Sequence, residues 1–75
     1  MLEASQIRAA RALLGWRQEE LAEAAGVSRR TVVTAELDAS EASADSRQRL
    51  AEAFERAGLE FTASPDRLGL SWRRR

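Results

Sequence analysis

The chain has 75 residues, twelve basic and twelve acidic, and its formal charge at pH 7 is zero. This length allows one small domain, and the charge balance lacks the strongly basic footprint that non-specific nucleic-acid binding usually needs. The absence of cysteine excludes disulfide and thiolate chemistry, and no apolar run approaches the ~20 residues that span a bilayer.

The first helix is predicted from Ser5 to Leu14, because Ile7, Ala10 and Leu14 fall on one side at helical spacing. Three alanines add helix propensity to this stretch. A glycine then ends the helix, and Trp16 is expected to cover one edge of the core rather than stack on a nucleic acid.

Residues 18–37 are predicted to form two short helices joined by a tight turn. The first helix carries an apolar stripe made of Leu21, Ala22 and Ala25. Gly26 can take the positive φ that often ends a helix. Val27 follows as an apolar residue of the turn, and Ser28 is a good N-cap for the second helix.

The second helix of this pair has two different faces. At about 100° per residue, the inner face holds Val32, Ala35 and Glu36, and the outer face holds Arg29, Arg30, Val33 and Thr34. Guanidinium, hydroxyl and apolar groups beside a helix N-terminus are the groups that read a DNA major groove. The pattern therefore favours an outward-facing recognition surface.

The spacing of this segment resembles the helix-turn-helix of the phage-repressor and Cro (XRE-like) family. The matching residues are Gln18, Leu21, Ala22, Ala25, Gly26, Val27, Ser28, Thr31, Val32 and Glu36. The resemblance implies a mainly α fold, a compact four-helix helix-turn-helix domain, and a small transcriptional regulator that binds double-stranded DNA.

The resemblance also assigns roles within the segment. The positions from which relatives contact base edges are occupied by Arg29, Arg30 and Thr34, and Val33 is placed to touch a thymine methyl group. Contacts to backbone phosphate are expected from Arg17, Gln18, Ser28 and Thr31. An ordinary exposed basic pair is the alternative for the two arginines of the helix.

A structural ion pair is a further implication of the resemblance. In this family an arginine at the position of Arg11 pairs with the acid at the position of Glu36, largely out of water. The alternative is two solvated charges. If the pair forms, removing one partner should cost a few kcal/mol because the other charge is left stranded.

After Leu37 the sequence departs from the family pattern. Relatives have a glycine two residues beyond the glutamate and then basic residues, whereas this chain has Asp38, Ala39, Ser40 and Glu41. A different exit from the helix is expected, and the acids weigh against phosphate contact from this loop.

A fourth helix is predicted to run to about Ala57, with Ser43, Asp45 or Ser46 as its cap and Gly58 as its stop. Its expected apolar side consists of Leu50, Ala51, Phe54 and Ala57. Residues 1–58 are therefore interpreted as the DNA-binding domain.

Residues 59–75 change to two-residue alternation, which predicts a short β-hairpin or strand pair around a turn at 63–67. Its free edge makes this tail a possible dimerisation element. Trp72 is expected to pack inward, and Arg73, Arg74 and Arg75 to form either an unstructured cap or an additional phosphate arm.

The chain has no His, Cys or Tyr, so it lacks the usual general base near neutral pH and the usual soft nucleophile of enzymes. The carboxylates of Glu19, Glu20 and Glu23 are interpreted as a solvated helix face rather than a metal site, so no enzyme activity, metal or cofactor is expected. The first residues lack the layout of a signal peptide, which favours a cytoplasmic, nucleoid-associated location.

Two functions remain. The first is a sequence-specific regulator, in particular a repressor, that binds a palindromic site as a homodimer through helix 28–37. The alternative is a protein-binding module on the same fold, an antitoxin-like or co-regulator subunit with weak or no DNA binding, which the zero net charge favours.

Overall fold

The computed structural model describes the backbone of residues 2–63 and 68–72 and the side chains of residues 2–60. Four α-helices precede two strands, which confirms the mainly α fold class with a C-terminal strand pair. The elements are α1 (Ala4–Leu14), α2 (Gln18–Ala25), α3 (Arg29–Leu37), a 3₁₀ turn (Ala39–Glu41), α4 (Ala44–Arg56), β1 (Leu59–Ala63) and β2 (Leu68–Trp72).

Helix α1 begins at Ala4, one residue before the predicted start at Ser5. The reason is that Glu3 takes an extended N-cap conformation and its backbone N–H donates to the Gln6 side-chain oxygen at 2.9 Å. This contact satisfies one of the N–H groups that a helix start leaves without a partner. The helix ends at Gly15, as predicted.

The turn between α2 and α3 is closed by a glycine and a serine. Gly26 has a φ of 71°, in the left-handed region that glycine adopts without a steric penalty. The Ser28 hydroxyl oxygen then accepts the backbone N–H of Thr31 at 3.1 Å, which is the N-cap predicted for α3. These two residues set the angle at which α3 leaves the turn.

The exit from α3 differs from the glycine exit of relatives, as expected. Asp38 is in an extended conformation with φ −157° and ψ 106°, which needs no glycine. Its carboxylate accepts the backbone N–H of Ser40 at 3.0 Å and the Ser40 hydroxyl at 2.7 Å. These bonds to Ser40 lower the pKa of the Asp38 carboxyl and start the 3₁₀ turn.

The core lies between the helices and is closed by the first strand residue. Its fully buried large side chains are Phe54, Ile7, Leu21, Leu50, Leu59 and Val32. Trp16 is half-buried and stacks on Phe54 with ring centroids 6.2 Å apart, so it covers one edge of the core as expected. The core is therefore built from a few large side chains and many alanines.

The predicted apolar side of α4 needs one correction. Ala53, which is 2% exposed, lies in the core between Leu50 and Phe54, whereas Ala51 and Ala57 are only partly buried. The contact face is therefore centred on the i, i+3, i+4 set and rotated slightly from the predicted one. Ser43 is the N-cap, with its hydroxyl accepting the Ser46 N–H at 3.0 Å.

The two strands pair antiparallel, with Leu59 opposite Trp72 and Phe61 opposite Leu70. β1 lies beside α4 and β2 beside α1, so the sheet packs on the helices. Residues 64–67 of the expected turn, the Trp72 side chain and Arg73–Arg75 lie outside the described part of the chain. Among the described residues, no helix is both long and apolar enough to cross a bilayer.

Candidate nucleic-acid interface

The orientation of α3 follows from its buried face. Val32 and Ala35 are fully buried and Glu36 is 5% exposed, as the spacing predicts. The opposite side of the helix carries Arg29 and Arg30, which are exposed, and Val33 and Thr34, which are partly exposed. Two of the four side chains proposed to read DNA are therefore exposed, and the other two are partly covered by the described part of the chain.

Arg11 and Glu36 form an ion pair that holds α3 against α1. Arg11 Nε donates to Glu36 Oε2 at 2.6 Å and Arg11 Nη2 to Glu36 Oε1 at 3.3 Å. The same guanidinium donates from Nη1 to the Trp16 carbonyl oxygen at 3.0 Å. The Glu36 side chain is only 6% exposed and that of Arg11 is 28% exposed, so the pair is largely removed from water.

Gln18 is the third donor to the buried carboxylate. Its Nε2 lies 3.0 Å from Glu36 Oε1, and its Oε1 accepts from Arg29 Nη2 at 3.3 Å. The side chain predicted for phosphate contact thus links the buried ion pair to the first residue of α3. One of the two N–H groups of its side-chain amide donates to Glu36.

Arg29 is held by the start of α2. Its Nε donates to Glu19 Oε1 at 3.0 Å, and this hydrogen bond is the main reason that the pKa of Glu19 is lowered. Both side chains are more than half exposed, so the pair lies at the surface. Sequence reasoning placed Glu19 on a solvated helix face and did not predict this contact.

Arg30 borders a polar cleft of about 320 Å³ between α3 and the start of α4. None of the described residues forms an ion pair with Arg30. Hydroxyl groups dominate the lining, which consists of Ser28, Arg30, Thr31, Thr34, Glu41, Ala42, Ser43 and Ser46. The cleft brings three of the proposed contact residues of α3 beside the cap of α4, with the carboxylate of Glu41 as the acidic exception.

The remaining predicted phosphate contacts lie around the two helix starts. Arg17, with 77% of its side chain exposed, lies before α2 and pairs weakly with Glu20 at 3.5 Å. The hydroxyls of Ser28 and Thr31 lie 3.0 Å apart and bond to each other at the start of α3. Arg17 does not line the cleft, so these predicted contacts form two separate groups.

Two arginines have roles that the sequence analysis missed. Arg8 Nη1 donates to the Glu36 backbone oxygen near the end of α3, and Arg56 Nη2 donates to the Ala24 carbonyl oxygen at 2.9 Å near the end of α2. Both contacts satisfy carbonyls that a helix end leaves without intrahelical partners. For Arg8, the three-residue spacing from Arg11 on α1 was the available signal, and the sequence pattern gave none for Arg56.

The described residues contain no group of acidic side chains placed to hold a metal ion. The interface is instead a helix face with two arginines, one tied to a carboxylate and one without an ionic partner among the described residues. The groups on this face can therefore donate hydrogen bonds and attract anions.

Comparison with known proteins identifies the family of the chain. No curated protein matches the chain. A family model described as helix-turn-helix matches residues 7–61, which cover α1 from Ile7 onward, all of α2, α3 and α4, and the first three residues of β1. The chain therefore belongs to the helix-turn-helix family of DNA-binding regulatory proteins.

Proposed function

We propose that this protein is a sequence-specific transcriptional regulator that inserts α3 into a DNA major groove. The observation that carries the proposal is the outward face of α3, held by the buried Arg11–Glu36 pair on its other side. Arg29 and Arg30 lie in the first turn, where a recognition helix approaches base edges. Thr34 and Val33 follow one turn later, as hydroxyl and apolar contacts.

Phosphate contacts on either side of the groove complete the proposed complex. Arg17 and the free N–H of Gln18 lie at the start of α2, and Ser28 and Thr31 at the start of α3. Backbone N–H groups at both helix starts add to the attraction for an anion. These contacts fix the position of the protein on the duplex, and the base contacts supply the sequence preference.

A homodimer on a palindromic site is part of the proposal. Residues 1–58 would form the DNA-binding unit, and the tail at 59–75 would join two copies through an edge of its two-stranded sheet. The two copies of α3 would then lie roughly 34 Å apart, one turn of duplex. Bound across a promoter, such a dimer acts as a repressor in the cytoplasm, at the nucleoid.

The test is selection of duplexes from a randomised library, followed by fluorescence anisotropy with the best-bound duplex. We expect a two-fold symmetric site and an affinity that falls steeply with salt, since each phosphate contact releases counterions. Arg30→Ala and Arg30→Lys form a matched pair: lysine retains the charge but loses bidentate hydrogen bonding to guanine. Recovery of no preferred duplex, with no salt dependence, would overturn the proposal.

A protein-binding module remains the second candidate because of two specific observations. Two arginines near the outer face carry their own carboxylate partners, Arg29 with Glu19 and Arg17 with Glu20. Leu37, at the end of α3, is 80% exposed, so a protein partner that packs on this end of the helix would bury its apolar surface. A weak, salt-insensitive interaction with every duplex tested would favour this alternative.

A further inference from the structure

The side chain of Arg29 is fixed by contacts that reach back to the core. Glu36 is buried and holds Gln18, and Gln18 accepts from Arg29 Nη2. Glu19 accepts from Arg29 Nε on the other side of the guanidinium. An exposed arginine is normally free to sample many rotamers, so two acceptors on α2 restrict this one to a narrow range.

The two acceptors occupy one particular edge of the guanidinium. Nε and Nη2 together form the side edge of the planar group, and both donate to α2. The edge that remains consists of Nη1 and the second N–H of Nη2. These two groups match the O6 and N7 acceptors of guanine, whose bidentate contact with arginine carries the most discrimination.

The Glu19 carboxylate also changes the electrostatics at the start of α3. It compensates the charge of Arg29, which reduces the attraction of that side chain for phosphate of any sequence. A carboxylate beside the groove repels a phosphate that approaches from the same direction. Because the pair is exposed and screened by salt, its contribution to folding stability is small.

We propose that Glu19 is a specificity-determining positioning residue, which presents only the terminal nitrogens of Arg29 to a guanine and withholds its charge from phosphate. The inference rests on the proposed function, since it requires α3 to read a duplex. It explains why a face meant for DNA carries a carboxylate next to its first arginine. Glu19 acts through Arg29 and is not itself assigned a base contact.

The test compares Glu19→Gln with Glu23→Gln. Both remove one negative charge from the same helix, and the exposed Glu23 side chain forms no hydrogen bond or ion pair with the described residues. Each variant and the parent chain are measured against the selected duplex and against a scrambled duplex of the same length and composition. Circular dichroism serves to show that both variants remain helical.

We expect Glu19→Gln to bind the scrambled duplex more tightly than Glu23→Gln does, because only Glu19→Gln frees the charge of Arg29 for phosphate. Only Glu19→Gln should lower the ratio of selected to scrambled affinity, by about 3- to 10-fold, and lose the guanine preference at one base pair of each half-site. Arg29→Ala should lose the same preference, and the double variant should lose no more than Arg29→Ala alone.

The outcomes separate the two proposals. If the parent chain prefers its selected duplex but Glu19→Gln and Glu23→Gln have equal affinity ratios and base preferences, the inference about Glu19 is wrong and the proposed function stands. If the parent chain prefers no duplex, the proposed function is wrong and the inference about Glu19 is overturned with it.

Discussion

Replacing Arg11 by methionine removes one partner of the ion pair that orients α3. Three hydrogen bonds disappear: two to Glu36 and one to the Trp16 carbonyl oxygen. Methionine is close in length to arginine and retains the apolar contacts of the arginine stem. The Glu36 side chain, which is 6% exposed in the parent chain, is then left with Gln18 as its one side-chain donor among the described residues.

The size of the effect follows from how far the pair is removed from water. Breaking a fully buried pair on one side costs about 3–5 kcal/mol. The Arg11 side chain retains 28% exposure and Gln18 continues to donate, so we expect about 2–3 kcal/mol. A domain of this size is stable by only about 4–11 kcal/mol, so the loss is a large fraction of its total stability.

The assay is urea unfolding followed by circular dichroism and by tryptophan fluorescence, since Trp16 stacks on Phe54 in the native state. Arg17→Met is the matched control, because it removes an arginine whose side chain is 77% exposed and whose partner lies 3.5 Å away. That variant should unfold at nearly the parent urea concentration. The Arg11→Met midpoint should fall with an unchanged slope.

A double-mutant cycle with Glu36→Gln separates the ion pair from packing. We expect the free-energy effects of the two changes to be non-additive by at least about 1 kcal/mol. The reason is that Glu36→Gln removes the buried negative charge that Arg11→Met leaves without its cation. Equal midpoints for Arg11→Met and Arg17→Met, or strict additivity in the cycle, would refute the reasoning that the pair stabilises α3.

Three further predictions concern helix ends and pH. Ser28→Ala removes the acceptor at the start of α3 and should destabilise the protein by about 1 kcal/mol in urea unfolding, comparable with Ser43→Ala at α4. Gly26→Ala forces a side chain into a φ of 71° and should cost about 1 kcal/mol in the same measurement; an unchanged midpoint would contradict the strain. The pKa of Asp38 is lowered by its bonds to Ser40, so its contribution to stability is present above its ordinary value of 3.8 and is lost as the pH falls through the lower folded value. Asp38→Asn should therefore flatten the acid side of the stability curve, and an identical curve would count against this contribution.

Much of the fold was predictable because local signals agreed. The stripe of Leu21, Ala22 and Ala25, the glycine at 26 and the N-cap at Ser28 each indicate the same helix–turn–helix, and the structure contains it. The start of α1 was predicted one residue late, because the bond between the Glu3 N–H and Gln6 leaves no periodic signal in the sequence. The core face of α4 was slightly misplaced because Ala51, Ala53 and Ala57 give the same apolar signal in the sequence, whichever of them is buried.

The interface was less predictable than the fold. Helical spacing shows that Arg29 and Arg30 face outward, but it does not show which of them meets a carboxylate of another helix. That choice depends on the angle between α2 and α3, which brings Glu19 within 3.0 Å of Arg29. The same limit applies to Gln18, whose amide reaches Glu36 across the two helices.

In the proposed complex, the outward face of α3 is the surface that meets DNA. The most direct measurement is an NMR titration of the isotope-labelled chain with the duplex recovered by selection. We predict that the largest amide shifts fall on residues 28–34 and on the first turn of α2. Shifts concentrated instead on the opposite side, along α1 and the exposed residues of α4, would contradict it.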